Sequence, residues 1–187
     1  MENSAAQQTV NEILDLFERY GDEEYGENLS QQEHMIQAAQ MAQAENQPDE
    51  VVIAALLHDI GHLYGHEVDN ERMGNFGIMD HEALGADYLR AKGFSDKVAA
   101  LVKGHVLAKR YLCYTDPEYL KALSHASRET LKQQGGPMMK AEAEHFQNSL
   151  YFDLSIRMRL WDEEAKIPNQ TLPSIDSFQN MLLQQLA

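Results

Sequence analysis

Residues 51–60, VVIAALLHDI, decide the fold. The first seven are apolar at every position, and a helix without a polar face belongs at the centre of a protein. We predict that this helix runs from Glu50 to about Ile60, which places His58 and Asp59 at its C-terminal end. A carboxylate directly after buried leucines is expensive to bury unless something neutralises its charge, and a metal ion does so.

Helical patterns continue on the N-terminal side of this segment. Apolar residues recur at helical spacing along one face of the first 20 residues, as at Ile13 and Phe17. Ser30 and Glu33 form the capping-box pattern that starts a second helix, which should extend through about Gln43. Two amphipathic helices are therefore predicted before the apolar one.

The chain beyond the apolar segment is also predicted to be helical. The expected segments are a loop over 61–79 and helices over Asp80–Lys92, from the N-cap Ser95 past His105 and Lys109, from Asp116 towards Gly135, and over Met139–Asn148, Tyr151–Lys166 and Ser174–Leu186. No segment alternates apolar and polar residues as a half-buried strand does. We therefore predict an all-α fold, an orthogonal helical bundle, in a single domain spanning residues 1–187.

Composition narrows the class of protein. The chain is 43% hydrophobic and 24% charged, as soluble globular proteins are, and no apolar run approaches the ~20 residues of a membrane helix. A net charge of −15 repels nucleic acid and anionic membranes. One cysteine, Cys113, and an N-terminus without a signal-peptide pattern favour a cytoplasmic protein. No protein partner is evident.

Histidines and aspartates at the starts, ends and faces of successive predicted helices form a candidate metal site. Its members are His34, His58, Asp59, His81, His105 and Asp162. Each alone is more often an ordinary core or surface residue, but four imidazoles and two carboxylates together are enough to hold two metal ions. Nitrogen and oxygen donors without a thiolate suit iron or manganese better than structural zinc.

These six residues resemble the ligand pattern of the HD-domain superfamily of metal-dependent phosphohydrolases, in its two-metal form. Within it the chain most resembles the HD-domain mixed-valent diiron oxygenases that cleave 2-amino-1-hydroxyethylphosphonate to glycine and phosphate. The stretches that carry the resemblance are 54–62, 81–90, 104–112, 126–131, 134–138 and 161–163. The most specific are Lys109-Arg-Tyr-Leu112 and Gln134-Gly-Gly-Pro-Met138, and the resemblance covers nearly the whole chain.

The resemblance implies a cofactor of two iron ions in the Fe(II)/Fe(III) state, with O2 as co-substrate. It assigns His34, His58 and Asp162 to one iron and His81 and His105 to the other, with Asp59 bridging the two. No catalytic side chain is implied beyond this metal centre.

The resemblance also implies the groups that bind a small anionic phosphonate. They are His62, Lys109, Ser127 and Arg159, with Gln134 nearby. Helical spacing agrees for the two cations, because Lys109 lies about one turn beyond His105 and Arg159 about one turn before Asp162. A phosphonate dianion requires charge-assisted donors of this kind.

Recognition of the cationic end of the substrate is less complete. Glu27 matches the family's glutamate, whereas the family's tyrosine is displaced by one residue to Tyr25 and Glu24 occupies the expected position. A related enzyme of the family oxidises the trimethylammonium analogue and releases glycine betaine. A quaternary ammonium prefers aromatic faces such as those of Tyr25, Tyr64 and Phe76. Glu27 favours the primary amine, and both substrates stay open.

Three other functions stay open. An HD-domain phosphohydrolase acting on a nucleotide or phosphomonoester would use the same metal ligands and only a metal-activated water. A different diiron oxygenase, for example one that cleaves a cyclitol ring, would use the same six. The intact set of six ligands argues against a non-catalytic binding protein with a vestigial site, because loss of activity would remove the reason to keep buried charges.

Overall fold

The part of the chain that the computed structural model describes, residues 2–24, 26 and 28–186, is helical. Its elements are α1 (Glu2–Tyr20), α2 (Gln31–Ala44), α3 (Asp49–Leu56), α4 (Ile60–Tyr64), α5 (His81–Ala91), α6 (Asp96–Thr115), α7 (Pro117–Ala122), α8 (His125–Gln133), α9 (Lys140–Gln147), α10 (Phe152–Glu164), a 3₁₀ turn (Ile175–Phe178) and α11 (Gln179–Gln184). Extended pairing within these residues is limited to one isolated bridge between Arg72 and Ile78. The all-α prediction is confirmed.

Helix α3 lies at the centre, as its uniformly apolar sequence predicts. Residues 51–57 are at most 1% exposed. Helix α3 packs against α2 and α6, and the long helix α6 packs in turn against α5 and α10. The helices that carry the candidate site therefore surround α3 and α6. None of the described helices is both long and apolar enough to cross a bilayer.

The prediction that the central helix continues to Ile60 is wrong. Helix α3 ends at Leu56, residues 57–59 form a turn, and α4 starts at Ile60. The reason is a side-chain contact: the Nδ1–H of His58 donates to the carbonyl oxygen of Ala55 at 2.8 Å. In a continuous helix that oxygen would accept the amide of Asp59. His58 and Asp59 thus occupy a break between two helices.

Two further boundaries differ from the predictions. The predicted loop over 61–79 begins as helix, because α4 extends to Tyr64. The helix predicted from Asp116 towards Gly135 is two helices, since α7 ends at Ala122 and α8 begins at His125. Ser124 caps α8, with its hydroxyl accepting the amide of Ser127 at 3.1 Å. The break directs one side of α8 towards the cavity described below.

Two glycines allow the helices to approach closely near the candidate site. A Cβ on Gly61 would lie 1.9 Å from the carbonyl oxygen of His81, so α4 packs backbone to backbone against the start of α5. A Cβ on Gly104 would lie 2.4 Å from the hydroxyl oxygen of Ser155, which sets the approach of α6 and α10. Close packing of backbones fixes where His81 stands.

We expect Gly61→Ala to destabilise the fold by at least ~2 kcal/mol, because backbone atoms cannot rotate away from the added methyl group. Gly74→Ala is the control, since nothing lies within 4 Å of a Cβ there and only its positive φ of +59° opposes the change. The free energy of unfolding, measured by urea denaturation, checks the difference. Equal losses in the two variants would contradict the close approach.

Candidate metal centre

Three separate segments bring four donor groups together at one end of a cavity. His34 comes from α2, His58 and Asp59 from the turn after α3, and Asp162 from α10. The Nε2 of His34 lies 3.2 Å from Oδ1 of Asp162 and 3.6 Å from Oδ2 of Asp59. The Nε2 of His58 lies 3.5 Å from the same Oδ2. Four donor atoms therefore surround one point.

A second pair of histidines faces the other oxygen of the same carboxylate. The Nε2 of His81 lies 3.3 Å from Oδ1 of Asp59, and the Nε2 of His105 lies 3.5 Å from it. The two Nε2 atoms are 3.2 Å apart. Asp59 thus presents one oxygen to each pair of imidazoles, which is the arrangement that a bridging carboxylate requires.

Backbone carbonyls fix the orientation of three of these imidazoles. The Nδ1–H groups of His34, His58 and His105 donate to Ala165, Ala55 and Val102 at 2.9, 2.8 and 2.6 Å. A neutral imidazole with its proton on Nδ1 has a lone pair on Nε2, which is the form that binds metals. The Nε2 atoms of His34 and His58 are 3.1 Å apart. Two facing lone pairs repel each other unless a cation lies between them.

The spacing and chemistry of the donors fit transition-metal ions. Donors bound at about 2.1 Å in a tetrahedral or octahedral shell lie roughly 3.0–3.4 Å from their neighbours. The measured separations of 3.1–3.9 Å come close to this range. Imidazole and carboxylate donors without thiolate suit several first-row transition metals, iron among them.

Burial and neighbouring charges shift the pKa values of the two carboxylates in opposite directions. Burial raises the pKa of Asp59, but His58 and His81 outweigh it and hold that pKa well below its ordinary value. Burial likewise raises the pKa of Asp162, and Arg159 and His34 more than offset it. Burial lowers the pKa of His105 to about 3. Both carboxylates are therefore ionised, and His105 is neutral and able to act as a ligand.

His62, a predicted phosphonate anchor, stands beside the second pair. Its ring stacks on that of His81 at 3.9 Å between centroids, and donor atoms of His62, His81 and Asp59 lie within 4.8 Å of one another. The spacing alone would allow His62 to be a ligand. However, its Nδ1 accepts the amide of Ile78 at 2.9 Å, so the neutral ring carries its proton on Nε2. A protonated Nε2 donates to an anion and does not bind metal.

Arg159 connects the candidate ligand Asp162 to residues on other helices. Its Nη1 donates to Oδ2 of Asp162, and its Nε donates to the hydroxyl of Tyr119 at 2.7 Å. Its Nη2 contacts both Ser127, at 3.3 Å, and Glu163. The guanidinium is 3% exposed overall, so its position is fixed.

Lys109 lines the same cavity from α6. It is 4% exposed, and its Nζ donates to the hydroxyl of Thr130 at 3.0 Å. Burial, together with the nearby charge of Arg159, lowers the pKa of Lys109 to about 7. Such a group gains strongly from an anion placed beside it.

Sequence reasoning missed three residues around these cations. Lys166 donates to Ser127 at 3.4 Å and lines the cavity, Thr130 holds Lys109, and Tyr119 holds Arg159. Thr130 could have been found, because it lies three residues after Ser127 on one helix. Lys166 follows the end of α10, where helical spacing no longer applies.

The remaining predicted substrate residues divide into two groups. Gln134 lines the cavity, and neither atom of its buried amide has a hydrogen-bond partner among the described residues. Tyr25 and Glu27 lie outside the described residues. Phe76 lines the cavity as well, whereas Tyr64 stacks on Tyr88 away from it.

Comparison with known proteins places the chain in a family. The model of the HD domain matches residues 31–181. A protein of Acanthamoeba polyphaga mimivirus, named as uncharacterized, is 39% identical over 96% of this chain and 83% of its own. The [1-hydroxy-2-(trimethylamino)ethyl]phosphonate dioxygenase (glycine-betaine-forming) of Leisingera caerulea is 40% identical over 89% of this chain and 85% of its own. The hydroxymethylphosphonate dioxygenase of Gimesia maris is 34% identical over 90% and 84%. The chain belongs to the HD domain family.

Proposed function

We propose that this chain is a diiron dioxygenase that oxidatively cleaves the C–P bond of a 1-hydroxy-2-ammonioethylphosphonate. One observation carries the proposal: Asp59 presents one oxygen to each of two imidazole pairs, in a cavity that Lys109 and Arg159 also line. The products are inorganic phosphate and glycine, or glycine betaine if the substrate is the trimethylammonium analogue.

The relatives support this class of substrate. The names of the Leisingera and Gimesia enzymes both specify a phosphonate with a hydroxyl group on the carbon next to phosphorus. They differ in what that carbon carries beyond the hydroxyl. The shared part of these substrates is an anion beside a hydroxyl, which matches a cavity that is lined both by cations and by the candidate metal ligands.

One group of residues would bind the metal ions, and another group binds the phosphonate. Irons held by the six donor groups would supply activation of dioxygen and a Lewis acid for the substrate hydroxyl. Lys109 and Arg159 bind the phosphonate oxygens by charge-assisted hydrogen bonds. Ser127 accepts from Arg159 and Lys166, which leaves its own hydroxyl hydrogen to donate to the substrate. His62 donates through Nε2 from the metal side.

Selectivity at the cationic end depends on residues outside the described ones. We assign Glu27 to the primary ammonium and keep Tyr25 as a further substrate-binding residue. A carboxylate can accept hydrogen bonds from a primary ammonium, whereas a trimethylammonium group offers it none. The preferred substrate is accordingly the primary amine.

The iron-loaded protein, partly reduced with ascorbate, should consume oxygen when given 2-amino-1-hydroxyethylphosphonate. Phosphate and glycine should appear in a 1:1 ratio to the oxygen consumed, since the bond cleavage takes up both oxygen atoms. An oxygen electrode, a phosphate assay and chromatography of glycine measure the three quantities. The trimethylammonium analogue and hydroxymethylphosphonate, assayed in parallel, rank the three candidate substrates. Phosphate release without oxygen uptake would instead support a metal-dependent phosphohydrolase.

We expect Asp59→Ala to lose both irons, because one carboxylate serves both pairs of imidazoles. Iron per chain, measured after desalting, should fall from two towards zero, with the far-UV circular dichroism unchanged. Asp69→Ala, at an exposed position, is the control and should retain both irons. Two irons retained in Asp59→Ala would refute the bridging role.

We expect Lys109→Ala to raise KM for the phosphonate by roughly 10- to 100-fold, the effect of losing one charge-assisted hydrogen bond of 1.5–3 kcal/mol. Iron content should not change. Because the pKa of Lys109 is lowered to about 7, its charge is present below that pH and is lost above it. The advantage of the wild type over the variant should therefore shrink as pH rises from 6 to 8.

The ratio of the two kcat/KM values at each pH isolates this effect, since ionisation of the substrate is common to both proteins. Lys103→Ala, on an exposed position of the same helix, should behave as the wild type throughout. A ratio that is constant across this pH range would show that Lys109 is not the titrating cation.

A further inference from the structure

The fourth imidazole of the cluster is oriented differently from the other three. The Nδ1–H groups of His34, His58 and His105 each donate to a backbone carbonyl. The Nδ1 of His81 is buried and has no hydrogen-bond partner among the described residues. A buried polar atom left in this way costs about 1–3 kcal/mol, so a partner is expected.

The carboxylate of Glu82 faces that nitrogen. Its Oε2 lies 3.7 Å from Nδ1 of His81 and is itself buried without a hydrogen-bond partner among the described residues. The separation is longer than a hydrogen bond, and a small rotation of the carboxylate closes it. The two orphaned atoms are a donor and an acceptor, and each supplies what the other lacks.

We propose that Glu82 is a positioning residue that accepts the Nδ1 proton of His81 and makes this histidine the most basic ligand of the cluster. The proposal rests on the proposed function in one respect, that His81, His105 and Asp59 hold a second iron. Coordination through Nε2 would strengthen Nδ1–H as a donor and draw the carboxylate into contact. Histidine ligands commonly depend on an outer carboxylate in this manner.

The consequence is an asymmetry between the two metal positions. The histidines of the first pair are both supported by neutral carbonyls, whereas one histidine of the second pair is supported by an anion. A negative charge beside a ligand favours the higher oxidation state of the metal bound to it. Glu82 therefore adds negative charge beside the position held by His81 and His105, which lacks the carboxylate that Asp162 supplies to the other position, and it favours Fe(III) there relative to a protein without this charge.

Metal binding tests the role without substrate or catalysis. Apoprotein is titrated anaerobically with Fe(II), and bound iron is measured by equilibrium dialysis. The step that is absent in His105→Ala identifies the second position. Glu82→Gln keeps the shape of the side chain and removes its charge. We expect it to weaken the second step by roughly 10- to 100-fold and to leave the first unchanged.

Two readouts separate positioning from a general structural effect. Asp87→Asn removes one charge from the same helix at a side chain that is 79% exposed, and should change neither step. In a redox titration followed by electron paramagnetic resonance, the midpoint potential of the mixed-valent state should rise in Glu82→Gln. It should not move in Asp87→Asn.

Each contrary result has a definite meaning. Two unchanged binding steps and an unchanged potential in Glu82→Gln would refute the role of Glu82 and leave the two-metal site intact. Equal weakening of both steps with a lower Tm would refute positioning in favour of a structural role. A wild-type protein that binds only one iron would overturn the proposed function together with this inference.

Discussion

The structure depends on the burial of one carboxylate. Asp59 is 8% exposed and follows directly on the most apolar helix, where an isolated negative charge would be strongly unfavourable. Four imidazoles from α2, the α3–α4 turn, α5 and α6 converge on its two oxygens. The imidazoles alone do not stabilise the buried carboxylate, because the lone pairs on their facing Nε2 atoms repel each other. A pair of cations would satisfy both the carboxylate and the rings at once, which is why the cluster makes sense as a metal centre.

One carboxylate connects the histidine cluster of the cavity to its cationic side chains. Asp162 directs Oδ1 to His34 and Oδ2 to Arg159, so one carboxylate contacts both the histidine cluster and a buried cation. Arg159 in turn reaches Ser127 on another helix.

Much of the fold was predictable because it follows from local patterns. The capping box at Ser30 and Glu33 is present, and the uniform apolarity of α3 does place it at the centre. The break after Leu56 was not predictable, because it results from the ring of His58 taking a carbonyl that periodicity assigns to the helix. Helix propensity describes the backbone and does not anticipate a competing side chain.

The candidate site, too, was predictable where it follows local patterns and unpredictable where it depends on tertiary contacts. The six proposed metal ligands were chosen from their positions on helices, and the structure brings all six together. Five of the six, all but His58, line one cavity together with Lys109, Ser127, Gln134, Arg159 and His62. Lys166, which lines the cavity, and Tyr119, which holds Arg159, were missed, because both take their places through tertiary packing that no spacing rule describes.

Arg159 and Lys109, two of the three cations that line the cavity, differ in how far their charge is already neutralised. Arg159 contacts Asp162 and Glu163, and despite burial these anions raise its pKa and keep it charged. Much of its charge is therefore offset before any ligand arrives. The one hydrogen-bond partner of Lys109 among the described residues is the neutral hydroxyl of Thr130. Lys109 holds the less compensated charge, so the attraction for an incoming anion rests on it, while Arg159 supplies fixed geometry.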